Sequence, residues 1–200
     1  GQQLATGSFD HTAKIWDCTT GQVMLTLVGH TKSVLSVAFS PDGKWLATGA
    51  GEHIVKIWDL IKGNVIHTFE IDTGSAMKVA FSPDGKKIAI GSTAVSLQPV
   101  ATAIKIWDIA TGNNILTLKG HKDGIESIAF SPDGKILASG SDDHTAKIWD
   151  LETGEVIMTL NGHTSNVWSV AFSFDGKRLA TGAFDKTARV WDLSNTKAAL

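Results

Sequence analysis

"HTAKIWDCTTGQ", residues 11–22, joins a short apolar run that ends at Trp16-Asp17 to a turn built on Gly21. Alone it reads as a strand entering a hairpin. Nearly the same string returns four times, as "HIVKIWDLIKGN" at 53–64, "TAIKIWDIATGN" at 102–113, "HTAKIWDLETGE" at 144–155 and "KTARVWDLSNTK" at 186–197. The Trp-Asp pairs fall at intervals of 42, 49, 42 and 42 residues, which marks an internal repeat and governs how everything else is read.

The 200 residues are 42% hydrophobic, enough for a substantial core, and 18 basic residues nearly balance 20 acidic ones with no block of like charge. That balance argues against a nucleic-acid or membrane surface. Cys18 is the single cysteine, so the chain builds neither a disulfide framework nor a multi-cysteine zinc site. A reducing, cytoplasmic setting is the expectation, and no run of about 18 apolar residues suggests a membrane span.

One full unit, residues 29–69, holds four short runs rich in Val, Ile, Phe and Trp: "VLSVAFS", "WLATGA", "IVKIWDL" and "NVIHTF". Their length and composition indicate β-strands and not helices. Pro41-Asp42-Gly43 turns the first strand into the second, and "SPDGK" recurs at 82–86 and 131–135; the last unit has Phe174 in place of Pro. Gly21, Gly63, Gly112 and Gly154 supply the third-to-fourth turns. A four-stranded sheet of this size cannot hide both faces, so neighbouring sheets must cover one another.

The period, the Gly-His at 29/30, 120/121 and 162/163, and the five Trp-Asp pairs closely resemble the WD40-repeat β-propeller family over essentially the whole chain. The resemblance implies an all-β propeller of four-stranded antiparallel blades. Counted in phase, 18 strands make about four and a half blades: a partial blade at 1–28, blades at about 29–70, 71–119 and 120–161, and a partial last blade at 162–200. The expectation is a segment of a larger propeller, often seven-bladed in the family, with closure by oligomerisation as the other reading. In the third unit Ile71-Asp72 replaces Gly-His, and the second-to-third connection is seven residues longer than in the first unit, an enlarged loop on an ordered blade.

Three units carry a His, a hydroxyl 18 residues on, an acid at 22 and a Trp at 28: His30/Thr48/Glu52/Trp58, His121/Ser139/Asp143/Trp149 and His163/Thr181/Asp185/Trp191. A Ser-His-Asp grouping invites a hydrolase reading. Repetition in several blades argues against it, and the resemblance implies structural hydrogen-bond tetrads running from indole to hydroxyl to imidazole to carboxylate. Ser8, Ser92 and Ser141 offer an alternative hydroxyl two places on, but Thr6, Thr48, Ser139 and Thr181 fill the first position in more units. The third unit, with Asp72 and Ile90 at the His and hydroxyl positions, should lack the network and keep Trp107 as packing. Glu52 adds a methylene to a tight turn, which works against closure of the second tetrad.

No phosphate-binding loop or dinucleotide fingerprint occurs, so no cofactor is expected. His11, His53 and His144 occupy equivalent turns on separate blades, a poor arrangement for a shared metal. Lys14, Lys56, Lys105, Lys147 and Arg189 recur two residues before each Trp and read as snorkelling stems, not a nucleic-acid track. Positions that differ between units should carry function. On the face that the family resemblance assigns to peptide binding these are Phe9 in unit one; Ser33, Leu35 and Gly51 in unit two; Ser75 and Met77 in unit three; Gly124, Glu126 and Asp142 in unit four; and Asn166, Trp168 and Phe184 in unit five. The expected function is a protein-interaction scaffold or sensor module of a larger protein, binding a partner protein or peptide and having no chemistry of its own. The alternatives are a structural assembly module, or the non-catalytic portion of an enzyme whose active site lies elsewhere.

Overall fold

The computed structural model describes residues 1–71, 76–92 and 102–194, with the side chains at 76 and 77 excepted. Among the described residues eighteen strands form five antiparallel sheets in chain order. The first sheet holds β1 (Gln3–Gly7), β2 (Thr12–Asp17) and β3 (Val23–Val28). The second holds β4 (Val34–Phe39), β5 (Trp45–Ala50), β6 (Ile54–Asp59) and β7 (Val65–Glu70). The third comprises β8 (Ala76–Phe81), β9 (Lys87–Ser92), β10 (Ala103–Asp108) and β11 (Asn114–Lys119). The fourth comprises β12 (Ile125–Phe130), β13 (Ile136–Ser141), β14 (Ala146–Asp150) and β15 (Val156–Leu160). The fifth has β16 (Val167–Phe172), β17 (Arg178–Ala183) and β18 (Ala188–Asp192). The third sheet is an ordered four-stranded blade as its sequence suggests; its enlarged loop, at 93–101, lies outside the described residues.

The turns follow from their residues. Ser40 Oγ donates to Asp42 Oδ1 at 2.7 Å and accepts the Trp45 N–H at 2.9 Å, while Gly43 takes φ 70°. Phe174 leaves the equivalent turn intact, because Ser173 and Asp175 make the same bond at 2.6 Å and the Phe ring simply projects into solvent. The Asp of each Trp-Asp pair has a job of its own. Asp17 Oδ1 accepts the N–H groups of Thr19 and Thr20 at 2.7 and 2.9 Å, and Asp59 and Asp150 repeat the pattern, closing the hairpin to the fourth strand.

The sheets stack through a directional interface. Ala13, Ile15 and Leu27 of the first sheet bury against Val34, Leu46 and Trp58 of the second. The pattern then repeats: Ala89, Ile104, Ile106 and Leu118 of the third sheet meet Ile125, Leu137 and Trp149 of the fourth, and Ala138, Ala146, Ile148 and Leu160 of the fourth meet Val167, Leu179 and Trp191 of the fifth. Inner strands β4, β8, β12 and β16 pack successively, and Ser36 and Ser127 Oγ each accept a backbone N–H from the next inner strand at 3.1 Å. Backbones approach closely here. A Cβ on Gly140 would lie 2.7 Å from the Val167 carbonyl oxygen, so only Gly fits.

The result is an open arc of five sheets of the WD40 propeller type. Each sheet presents a Leu/Trp face to its predecessor and an Ile/Ala face to its successor. At the two ends of the arc one face of each kind is uncovered: Leu4 is 55% exposed on the first sheet and Val190 70% exposed on the fifth.

Candidate interaction site

All three tetrads close. His30 Nε2 lies 2.6 Å from Thr48 Oγ1 and Nδ1 2.6 Å from Glu52 Oε1, with the Trp58 indole N–H donating to Thr48 at 2.8 Å. His121 and His163 repeat this at 2.7 Å to Ser139 and Thr181 and 2.8 Å to Asp143 and Asp185, with Trp149 and Trp191 donating at 2.8 and 2.9 Å. The geometry fixes the roles: Nδ1–H donates to the carboxylate, the hydroxyl donates to Nε2, and the indole donates to the hydroxyl oxygen. Thr48, Ser139 and Thr181 are buried and fully engaged. No substrate reaches them, so these are structural tetrads and not catalytic triads. The alternative hydroxyl is used differently, Ser141 Oγ donating to the Asp123 carbonyl at 3.0 Å. In the first sheet Trp16 donates to Thr6 at 2.9 Å.

The second tetrad closes with Glu52 in place of Asp, and the added methylene that works against closure in so tight a turn is accommodated. That methylene carries Oε2 further along the loop, where it accepts from Thr31 Oγ1 at 2.5 Å, the Lys32 N–H at 2.7 Å and the Thr31 N–H. Among the described residues the third sheet shows no such network, in keeping with Ile90 at its hydroxyl position. Ile90 is buried where the hydroxyl would be, and the Trp107 indole nitrogen is buried with no partner among the described residues. Trp107 packs on Phe69 at 5.2 Å between ring centroids. Asp72 lies outside the described residues.

Burial works against charge on Glu52, but hydrogen bonds from Thr31 and His30 outweigh it and hold its pKa at about 2. Burial likewise lowers the pKa of His30, with Glu52 opposing in part. Both shifts make the unfolded chain the better proton binder in acid. Stability from Glu52 is full above about pH 4.5 and is lost as pH falls towards 2, and the His30 contribution begins to fade below its ordinary value of 6.5. Glu52→Gln removes acceptors for the Thr31 and Lys32 donors. It should cost about 2 kcal/mol at pH 7, a cost that shrinks towards pH 2, as urea midpoints at several pH values will register.

The tetrads fasten the loops that precede β4, β12 and β16 to the turns between the second and third strands of those sheets. On that shared rim stand the residues that vary. Leu35, Met77, Glu126 and Trp168 each occupy the extra position of a β-bulge, between Val34/Ser36, Ala76/Lys78, Ile125/Ser127 and Val167/Ser169. A bulge takes a residue out of the ladder and re-aims it. The sequence carries its signature, since core residues such as Val167 and Val170 lie three apart where a regular strand would space them by two. The side chain of Met77 lies outside the described residues, and Leu35 is half-buried.

Trp168 is 51% exposed and Phe184 61%, and their rings meet at 4.7 Å between centroids. The Phe184 N–H donates to the Asn166 carbonyl at 2.9 Å, which clips the turn to the loop. Asn166 Nδ2 reaches across to the fourth sheet and donates to Asp142 Oδ1 at 2.5 Å. Glu126 and Asp142, both half-buried, thereby sit on the same rim as the aromatic pair. Phe9 is highly exposed on the equivalent turn of the first sheet, at the other end of the arc, and is not brought to Trp168 and Phe184.

His11, His53 and His144 take φ of 66–72° in the second-to-third turns, where Lys186 does the same in the fifth sheet. This left-handed position explains their recurrence without a ligand, and among the described residues no three His, Cys, Asp or Glu side chains group as for a metal ion. Lys147 Nζ donates to Thr159 Oγ1 at 2.9 Å, a contact within its own sheet.

Comparison with known proteins finds local stretches of similarity to several of them. It is 58% identical over 43 residues to ribosome assembly protein 4 of Chaetomium thermophilum, 22% of this chain and 8% of that protein. It is 54% identical over 44 residues to nuclear distribution protein PAC1 of Mycosarcoma maydis, 22% and 10% of the two chains. Against the mouse F-box-like/WD repeat-containing protein TBL1X it is 52% identical over 42 residues, 21% and 8% of the two. The matched stretches thus span a tenth or less of these relatives. A family model described as "WD domain, G-beta repeat" matches residues 1–17, 21–59, 112–150 and 154–192, well over half of the chain, and with the tetrads and stacked sheets this establishes that the chain belongs to the WD40 family.

Proposed function

We propose that the chain is a protein-interaction scaffold module that holds a partner protein or peptide on the rim bearing Trp168 and Phe184. One observation carries the reading. Every other Trp of the chain is at least partly buried, in the tetrads or between sheets, whereas Trp168 stands in solvent with the Phe184 ring tilted against it, on a rim that the tetrad of the same sheet fastens. Rigid, solvent-facing aromatics beside polar groups are the composition of an interface anchor. The names of the relatives, concerned with ribosome assembly and nuclear distribution, fit proteins that bring others together. The repeated, buried hydroxyls give no nucleophile, so the module acts by binding.

Trp168→Ala and Phe184→Ala should leave urea midpoints almost unchanged, because neither ring belongs to a core between sheets. Each should cost about 2 kcal/mol or more of affinity for a partner first captured by crosslinking and then titrated by calorimetry. Unchanged affinity in both variants, or a loss of several kcal/mol of stability in both, would return the pair to the scaffold.

A further inference from the structure

The rim joins two unlike corners. On the fourth sheet Asp123, Glu126 and Asp142 gather within electrostatic reach of one another. On the fifth stand Trp168 and Phe184. Glu126 and Trp168 hold the same bulge position on inner strands β12 and β16, which pack side by side, and the Asn166–Asp142 bond fixes the two corners together. Among the described residues neither Glu126 nor Asp142 forms an ion pair. Building on the reading that this rim binds a partner, we propose that the partner presents a basic segment, with a Lys or Arg side chain lying over the Trp168–Phe184 rings and its charge meeting Glu126 and Asp142.

Three physical arguments lead there. An indole face attracts a cation through its quadrupole, and Arg or Lys also lays its stem on apolar surface. Half-buried carboxylates without a cation are costly: burial first, then Asp142, raises the pKa of Glu126, and burial first, then Asp123, raises that of Asp142. The groups already facing them do not suffice. Lys78 on β8 opposes the shift of Glu126 only in part, and His144 and the Asn166 amide do the same for Asp142. An incoming guanidinium or ammonium relieves both groups. A metal ion is the poorer occupant, since among the described residues these acids do not converge as ligands.

A phage-displayed library of random heptapeptides, panned on the immobilised 200-residue chain, tests the assignment. Recovered clones are then titrated against the parent, a Trp168→Ala/Phe184→Ala variant and a Glu126→Gln/Asp142→Asn variant, each first shown by circular dichroism to be folded. The expected clones are rich in Arg and Lys and bind either variant at least tenfold more weakly. Their affinity for the parent should fall steeply with salt, and much less so for the Glu126→Gln/Asp142→Asn variant. Clones that need the aromatic pair but are neutral or acidic would overturn the basic assignment and leave the rim reading standing. Clones indifferent to the aromatic pair, or no clones above those on an empty support, would overturn both.

Discussion

The 200-residue polypeptide, purified at tens of micromolar, is expected to self-associate head to tail through the two uncovered faces of its arc. Val190 is 70% exposed, whereas Ile15, Ile57, Ile106 and Ile148, its equivalents, are almost wholly buried against the next sheet. Leu4 is 55% exposed against full burial of Leu46, Ile88, Leu137 and Leu179. The surface is already shaped for a neighbour. Gly182 stands where Gly7, Gly91 and Gly140 admit a following inner strand, yet a Cβ on it would meet nothing closer than 3.9 Å. Because the Leu/Trp face fits the Ile/Ala face and not itself, the contact is heterologous and gives rings or open chains. Val190→Glu and Leu4→Glu should each block assembly, since either spoils one half of every contact. Mixed in equal amounts, they should form a dimer through the one good face that each retains. Light scattering of the three samples decides; a monodisperse parent monomer defeats the idea, and failure of the mixture to pair defeats the head-to-tail geometry.

Much of this architecture could be read from the residues, and the misses have specific causes. Strand limits in the second unit matched to within a residue because Pro, Asp and Gly mark every turn, and these residues act locally wherever they sit. The tetrads were legible because a fixed spacing of hydroxyl, acid and Trp after a His repeats in three blades. The added length of Glu52 weighs against closure only until the donors of Thr31 and Lys32 are counted, and those come within reach only once the loop is folded. The Trp half of Trp-Asp has its hydrogen-bond partner at a fixed spacing in the repeat, whereas the Asp half caps the next hairpin through backbone N–H groups that converge on it only in the folded turn. The bulge at Trp168 was written in the three-residue spacing of Val167 and Val170, a break in alternation that a search for strands passes over. The rim positions are where the units differ from one another, a contrast visible in the aligned repeats. That Asp142 is tied to Asn166 across two sheets is tertiary, and no spacing within one unit encodes it.

Trp149→Phe should destabilise the chain by about 3 kcal/mol, while Trp107→Phe, the same chemical change one sheet earlier, should cost far less. Both substitutions remove similar volume from packed sheets. They differ in one group. The Trp149 N–H donates to Ser139 Oγ at 2.8 Å and completes a buried chain through His121 to Asp143, so removing it strands an acceptor and loosens the loop that the tetrad fastens. Trp107 Nε1 is buried with no partner among the described residues, and Phe in its place takes away a desolvated donor. An unsatisfied buried donor costs roughly 1–3 kcal/mol, enough to offset much of the lost packing against Phe69. Ser139→Ala gives a second measure of the same chain, because it orphans both the Trp149 indole and His121 Nε2 and should match or exceed Trp149→Phe. Urea midpoints of the three variants at pH 7, with the slope unchanged, read the difference directly. If Trp107→Phe and Trp149→Phe lose the same stability, the indole N–H contributes nothing to either sheet, and the recurrence of Trp in every unit has to be explained by shape alone.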